Sequence, residues 1–241
     1  MKQQMHIVCL RSVRYSDSKY ILSAYSLEAG RVSFLMNDGK GREAVRRRAL
    51  TQPLALVECV ADIAPGRDIH RMGDVRALTP LSGLRGNPVK CAVAMFIAEA
   101  LGSLLRESQS DPALWKFVER AIVELDGMDS RKTANFHLWF LYGLGRFLGI
   151  SPDVGGYSPG EVFDMADGIF RKTAPMHRDF ISPEQAASVA LLERMTLDNM
   201  HLFRFTREQR NATLDGILRY LSMHYAPLSG LKSLDILRTL F

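Results

Sequence analysis

Lys19-Tyr20-Ile21-Leu22-Ser23-Ala24-Tyr25-Ser26-Leu27-Glu28-Ala29-Gly30-Arg31-Val32-Ser33-Phe34-Leu35-Met36 decides how the first third of the chain folds. Tyr20, Leu22 and Ala24 alternate with Ile21, Ser23 and Tyr25, the period of two that lets a strand present one face to a core. Glu28-Ala29-Gly30 then reads as a hairpin turn, with glycine where a positive φ is needed. Val32, Phe34 and Met36 alternate again as the returning strand. Upstream, His6 to Tyr15 is rich in apolar and β-branched residues (Ile7, Val8, Leu10, Val13), and Ser16-Asp17-Ser18 breaks it. Downstream, Glu43 to Leu50 suits one or two helical turns. Pro53 opens a strand-like run from Leu54 to Ile63, Pro65-Gly66 turns it, and Arg71 to Leu78 reads as a fifth strand. Five short strands within about 75 residues suit a small closed barrel, because an open sheet leaves edges to protect. The spacing predicts a five-stranded OB-type β-barrel, and a small SH3-like barrel fits nearly as well.

The stretch from Thr79-Pro80-Leu81-Ser82-Gly83 to Asn87-Pro88 is rich in turn residues and marks a boundary. Beyond it the period becomes helical: Val89, Val93, Phe96, Ile97, Ala100, Leu101, Leu104 and Leu105 form one stripe. Asp111-Pro112 is a helix start, and Leu114, Phe117, Val118, Ala121, Ile122 and Leu125 follow as the buried face. A third helix near Thr133 to Leu148 ends at Gly149, and Pro152 prevents its resumption. Ser182-Pro183-Glu184-Gln185 and Thr206-Arg207-Glu208-Gln209 both read as capping boxes. The second opens a helix with the stripe Leu214, Ile217, Leu218 and Leu221, and a last short helix is expected around Ser233 to Phe241. Residues 150–181 are rich in glycine and proline, have little periodicity and read as a long irregular loop. The expected class is therefore α+β, with a β-barrel domain at 1–79 and an α-helical domain at 80–241.

Apolar residues make up 47% of the 241-residue chain and charged ones 24%, which suits a globular protein with a sizeable core. Cys9, Cys59 and Cys91 are far apart and form no CxxC, which argues for a reducing compartment and against a disulfide framework. Neither the N-terminal residues nor any later run has the apolar length of a signal peptide or a membrane span, so no membrane partner is expected. The net charge of +5 is unevenly placed: residues 1–79 hold 13 Lys/Arg against 8 Asp/Glu, and the remainder holds 18 of each. A basic module joined to a neutral one suggests an anionic partner for that module, with nucleic acid the commonest.

Arg11, Arg14, Lys19, Lys40, Arg42, Arg46, Arg47, Arg48, Arg67 and Arg71 are the candidate phosphate contacts. Gly39-Lys40-Gly41-Arg42 resembles a loop that lies close to phosphate, but it is too short for a nucleotide-binding P-loop and no Ser or Thr follows the lysine to hold magnesium. Arginine suits a polynucleotide backbone because its planar fork donates twice. Tyr15 and Tyr20 flank a polar turn at the expected open end of the barrel and are candidate base-stacking platforms. Arg131, Lys132, Arg204, Arg207 and Arg210 form a possible second nucleic-acid contact, or a socket for an acidic-hydrophobic peptide tail. No catalytic motif of the HExxH or GxSxG kind occurs, and His6 and Cys9 fall on opposite faces of a strand. Glu161, Asp164, Asp167, His177 and Asp179 leave open a hard-cation site in the 150–181 loop.

Four stretches carry a family resemblance. RYSDSKYILSAYSLEAGRVSFL (14–35) resembles the first hairpin of the RecO family of bacterial recombination mediators. GKGR (39–42) resembles that family's Lys-Gly-x-Arg loop. FLYGLGRFLGISPDV (140–154) is similar to its helix ending in Leu-Gly-x-x-Pro, and LDGILRYLSMHYAPLSGLKSLDIL (214–237) to its closing helix and Lys-Ser-Leu signature. The resemblance implies an N-terminal OB fold, a C-terminal helical domain and a cytoplasmic, nucleoid-associated protein without catalysis or cofactor. It implies binding of single- and double-stranded DNA, annealing of complementary strands, and help in loading the RecA recombinase onto SSB-coated DNA. RecR and the acidic C-terminal tail of SSB are the implied partners. The chain departs from the family in one respect. Many members carry four cysteines, as two CxxC pairs, in the loop after the Leu-Gly-x-x-Pro helix end, whereas residues 150–181 here hold none. Thiolates close such a zinc site, so no metal is expected. Tyr157, Phe163, Ile169 and Phe170 are then the residues expected to hold the loop by packing. Two other readings remain open from the residues: an RNA-binding OB-fold protein, and a metal-dependent hydrolase built on the 150–181 loop.

Overall fold

The computed structural model describes residues 2–64, 66–105 and 109–241. Pro65, half of the expected Pro65-Gly66 turn, lies outside the described residues. The chain forms two compact units, Met1–Gly127 and Met128–Phe241.

The first unit opens with β1 (Lys2–Ser16), β2 (Lys19–Ser26) and β3 (Gly30–Asn37), followed by α1 (Arg42–Leu50), β4 (Leu56–Asp62) and β5 (Arg71–Ala77). The strands form one antiparallel sheet in the order β3-β2-β1-β4-β5. The hairpin turns where the alternation places it: Ser26 pairs with Gly30, whose φ of 69° is open to glycine at little cost. The ladder does not close into the expected barrel. Its edges meet at one parallel bridge, where His70 N–H donates to the Ser33 carbonyl and Leu35 N–H to the His70 carbonyl, each at 2.9 Å. A bulge explains the incomplete closure. The register between β4 and β5 slips between Glu58 and Val60, and Asp74 takes a φ of 46°, which re-aims the short last strand.

One face of the sheet buries Met5, Ile7, Cys9, Leu22, Ala24, Phe34, Met36, Val57 and Cys59 in a single cluster. The opposite face buries Val8, Leu10 and Tyr25. The unit is completed by α2 (Ser82–Gly86), α3 (Pro88–Leu104) and α4 (Pro112–Gly127), and α3 packs on β1. Asn87 caps α3 by accepting from the Val89 and Lys90 N–H groups, and Asp111 caps α4 through Ala113 and Leu114. Tyr25 binds the strand layer to α4: its hydroxyl accepts from Asp111 N–H at 3.1 Å and its ring lies 6.5 Å from that of Trp115.

The second unit begins with a 3₁₀ turn at Ser130–Asn135 and continues into α5 (Phe136–Phe147). Gly149, at a φ of 72°, ends that helix, and Ile150 N–H returns to the Gly145 carbonyl at 3.0 Å. The 150–181 stretch then forms a small sheet of β6 (Val162–Asp164), β7 (Ile169–Arg171) and β8 (Phe180–Ile181), in the order β7-β6-β8. Aromatic rings hold it. Phe170 lies 4.9 Å from Tyr157 and 5.2 Å from Phe163, and Phe163 reaches Tyr220 at 6.1 Å. Tyr220 belongs to α7 (Arg207–His224), which follows α6 (Pro183–Ala190) and precedes α8 (Leu234–Leu240). The capping box at Thr206 forms in full, with Gln209 reciprocating. The one at Ser182 does not: its side chain leaves the backbone uncapped and is engaged by Glu184, while Gln185 N–H turns to the Ser182 carbonyl at 3.0 Å. Pro183 at the first helical position already removes one donor that a cap would satisfy.

Candidate nucleic-acid interface

The basic residues of the first unit divide by what holds them. Arg14 pairs with Asp17 at 2.9 Å, Arg47 with Glu43 at 3.0 Å, and Arg48 with Asp38. Arg11, Lys19, Lys40, Arg42, Arg46, Arg67 and Arg71 have no carboxylate at ion-pair distance among the described residues. Uncompensated cations at this density create a field that attracts a polyanion.

Three cavities open on the strand face. The first, of about 300 Å³, is lined by Tyr15, Leu35, Ile69, Arg67, Arg71, His70 and Asp62. The second, of about 310 Å³, holds Lys19, Arg47 and Arg71 over Leu35, Met36 and Met72. The third, of about 390 Å³, lies between α1 and β5, with Arg46, Arg47 and Arg76 beside Leu50 and Val75. Five of the ten candidate cations, Lys19, Arg46, Arg47, Arg67 and Arg71, thus line concave sites. Arg11, Arg14, Lys40, Arg42 and Arg48 are exposed and line none of these three. Sequence reasoning missed Arg76, although it lies in the basic third and in a strand whose Arg71 was singled out.

The two candidate tyrosines separate. Tyr15 is 64% exposed and faces the first cavity. Tyr20 is 6% exposed and packs in the core cluster, so its ring is not open to a base. The reason is the strand period: Tyr20 shares its face with Leu22 and Ala24. In the glycine loop, Gly41 is the extended N-cap of α1 at φ −71°, and neither it nor Gly39 takes a positive φ.

In the second unit, Arg210 is 9% exposed. It donates through Nε to Asn135 at 2.9 Å and through Nη2 to the Phe205 carbonyl at 3.0 Å. Burial lowers its pKa from the usual arginine value, and its role is to tie α7 to the turn before α5. It is not a surface contact. Arg131 is chelated by Asp129, and Arg207 donates to the Arg238 carbonyl, while Lys132 and Arg204 are exposed.

The candidate hard-cation residues are engaged by protein groups. Asp164 accepts from Arg171 Nε at 2.8 Å and from Ala166 N–H at 3.0 Å, Asp167 pairs with Arg171, and Glu161 accepts from Ser158 N–H. His177 Nε2 lies 3.4 Å from Asp164. Burial pushes the Asp164 carboxyl upward. The Arg171 hydrogen bond, the backbone N–H groups and the nearby His177 outweigh that and hold it below the ordinary carboxylate range. Among the described residues no group of His, Cys, Asp or Glu is placed to hold a metal. The residues present thus do not fit the zinc site of the cysteine-bearing RecO sequences. Cys59 is pushed up to about 12 and Cys9 higher still, chiefly by burial, so neither thiol is poised for chemistry.

Sequence comparison adds the decisive observation. Residues 1–81 match the family model for the recombination protein O N terminal, and residues 85–235 that for the C terminal. The chain belongs to the RecO family. It is 36% identical to the DNA repair protein RecO of Phocaeicola vulgatus over the full length of both chains. It is 37% identical to that of Porphyromonas gingivalis over 97% of each, and 35% identical to that of Bacteroides fragilis over the full length. The RecO models join near the boundary where the hydrophobic period changes from two to 3.6. Among the described residues no helix is long and apolar enough to cross a membrane.

Proposed function

We propose that this RecO-family chain acts in DNA repair as a non-catalytic mediator of recombination. It binds single- and double-stranded DNA, anneals complementary strands and helps load RecA recombinase onto SSB-coated DNA. The observation that carries the reading is the set of cations without ion-pair partners among the described residues, two of them, Arg67 and Arg71, beside the exposed Tyr15, in the strongly net-basic first third of the chain. Arg11, Lys19, Lys40, Arg42, Arg46, Arg67 and Arg71 carry the DNA contact, with Arg47 positioned by Glu43. Arg14 and Arg48, each paired with a carboxylate and, unlike Arg47, outside the three cavities, stand apart from it. RecR and the SSB C-terminal tail are the proposed protein partners, and Lys132 and Arg204 are candidate cations for the acidic tail. The test is strand annealing on SSB-coated DNA. Acceleration by the purified chain supports the reading, and no acceleration together with no binding to bare single strands refutes it.

A further inference from the structure

We propose that a single strand crosses the first unit through the three cavities in sequence, with one base on Tyr15 and successive phosphates at Arg71 and Arg47. The inference rests on the DNA-binding reading and assigns residues within it.

The cavities are joined by shared residues. Leu35 and Arg71 line both the first and the second, and Arg47 lines both the second and the third. A guanidinium therefore stands at each junction. Each cavity also has apolar residues in its lining: Ile69 and Leu35 in the first, Leu35 and Met72 in the second, Leu50 and Val75 in the third. A polynucleotide alternates in the same way, with apolar base faces separated by phosphates. Ligand pockets start at about 300 Å³, so each cavity is of a size for one unpaired nucleotide. A duplex keeps its bases stacked inside and presents only its backbone to such a face.

Charge within the track sharpens the assignment. The middle cavity has three cations and no carboxylate in its lining, whereas Asp62 lines the first and Glu43 and Asp74 the third. Phosphate is thus favoured most at the centre and less at either end. Arg47 is the half-buried member of its triplet, its side chain 25% exposed and its fork fixed by Glu43 at 3.0 Å. Arg48, next to it in sequence, turns to Asp38 and lines none of the three cavities.

The test is titration of fluorescent oligo(dT) and of a duplex of equal length against the full chain, over a series of salt concentrations. The proteins are wild type, Arg47→Ala, Arg71→Ala, Arg48→Ala and Tyr15→Ala, each checked for an unchanged melting curve. Each phosphate contact in a single strand contributes about 0.7 to the slope of log K against log salt. Arg47→Ala and Arg71→Ala are each expected to flatten the single-strand slope by about 0.7, and Arg48→Ala to leave it unchanged. Tyr15→Ala is expected to weaken single-strand binding about 5- to 150-fold, at constant slope, with duplex binding unaltered. Equal losses from Arg47→Ala and Arg48→Ala, or equal losses on duplex and single strand from Tyr15→Ala, overturn the track while leaving DNA binding in place. A wild-type slope of zero overturns both.

Discussion

Asp164→Ala tests how the small sheet of the second unit is held without cysteines. The Asp164 side chain is 2% exposed and accepts hydrogen bonds from Arg171 and from the Ala166 and Asp167 N–H groups. Hydrogen bonds to a charged group are worth about 1.5–3 kcal/mol each. Arg171 is 40% exposed and returns to water when its partner is removed, so its share must be discounted for screening. The net cost expected is about 2–4 kcal/mol, or roughly 8–16 °C in the melting temperature of a unit this size. Because the folded-state pKa lies below the ordinary value, the stabilisation is present above about pH 4 and is lost as pH falls through the folded-state pKa. Thermal melts of wild type, Asp164→Ala, Arg171→Ala and the double variant, with and without EDTA, form the assay. Amide exchange at Phe163 and Phe170 locates the effect. The expected outcome is a positive coupling energy between the two residues and no response to EDTA. A shift under 2 °C for Asp164→Ala, or a wild-type melt lowered by EDTA, refutes the account, as does one equivalent of zinc by metal analysis.

Further expectations are open to measurement. Tyr20→Phe removes a buried hydroxyl that has no hydrogen-bond partner among the described residues, so denaturant unfolding should show it neutral or stabilised by about 1 kcal/mol, with DNA binding unchanged. Arg46→Glu with Arg47→Glu should weaken DNA binding and annealing together and leave the circular dichroism spectrum intact, because α1 contributes no buried residue to the core. Thr206→Ala removes the capping box of α7 and should cost about 0.5–2 kcal/mol by chemical denaturation. Gly30→Ala forces a φ of 69° on a residue with a Cβ and should cost about 1–2 kcal/mol in the same assay.

The strands were legible because their alternation is complete on both sides of a glycine turn. Tyr20, Leu22, Phe34 and Met36 all enter the core that the period assigns them. The same alternation argues against Tyr20 as a stacking platform, since a residue on the face of Leu22 is committed to the interior. Closure was not legible, because it depends on the bulge at Asp74 and on the single bridge through His70, and neither has a sequence period. The strands of residues 150–181 escaped for a related reason: β6, β7 and β8 span three, three and two residues, too few to show a period. What could be read there was the set of aromatic residues that now packs the sheet. The cluster at Arg204, Arg207 and Arg210 shows the limit of charge counting. Arg210 lies one helical turn into a capped helix, and at that spacing it faces inward, where Asn135 receives it.

The charge division of the chain takes its meaning from pairing. In the second unit, Arg171, Arg219 and Arg238 each meet an aspartate. In the first unit Arg67 and Arg71 line cavities and have no carboxylate at ion-pair distance among the described residues. An equal count of cations in the two units would therefore not give equal affinity for a polyanion. It follows that adding a carboxylate within the middle cavity, as in Asn37→Asp, should weaken single-strand binding without removing any cation. The same change at Asn211 on α7, which lines none of the three cavities, should not. If both substitutions act alike, the binding field is the sum of net charge rather than the geometry of the strand face.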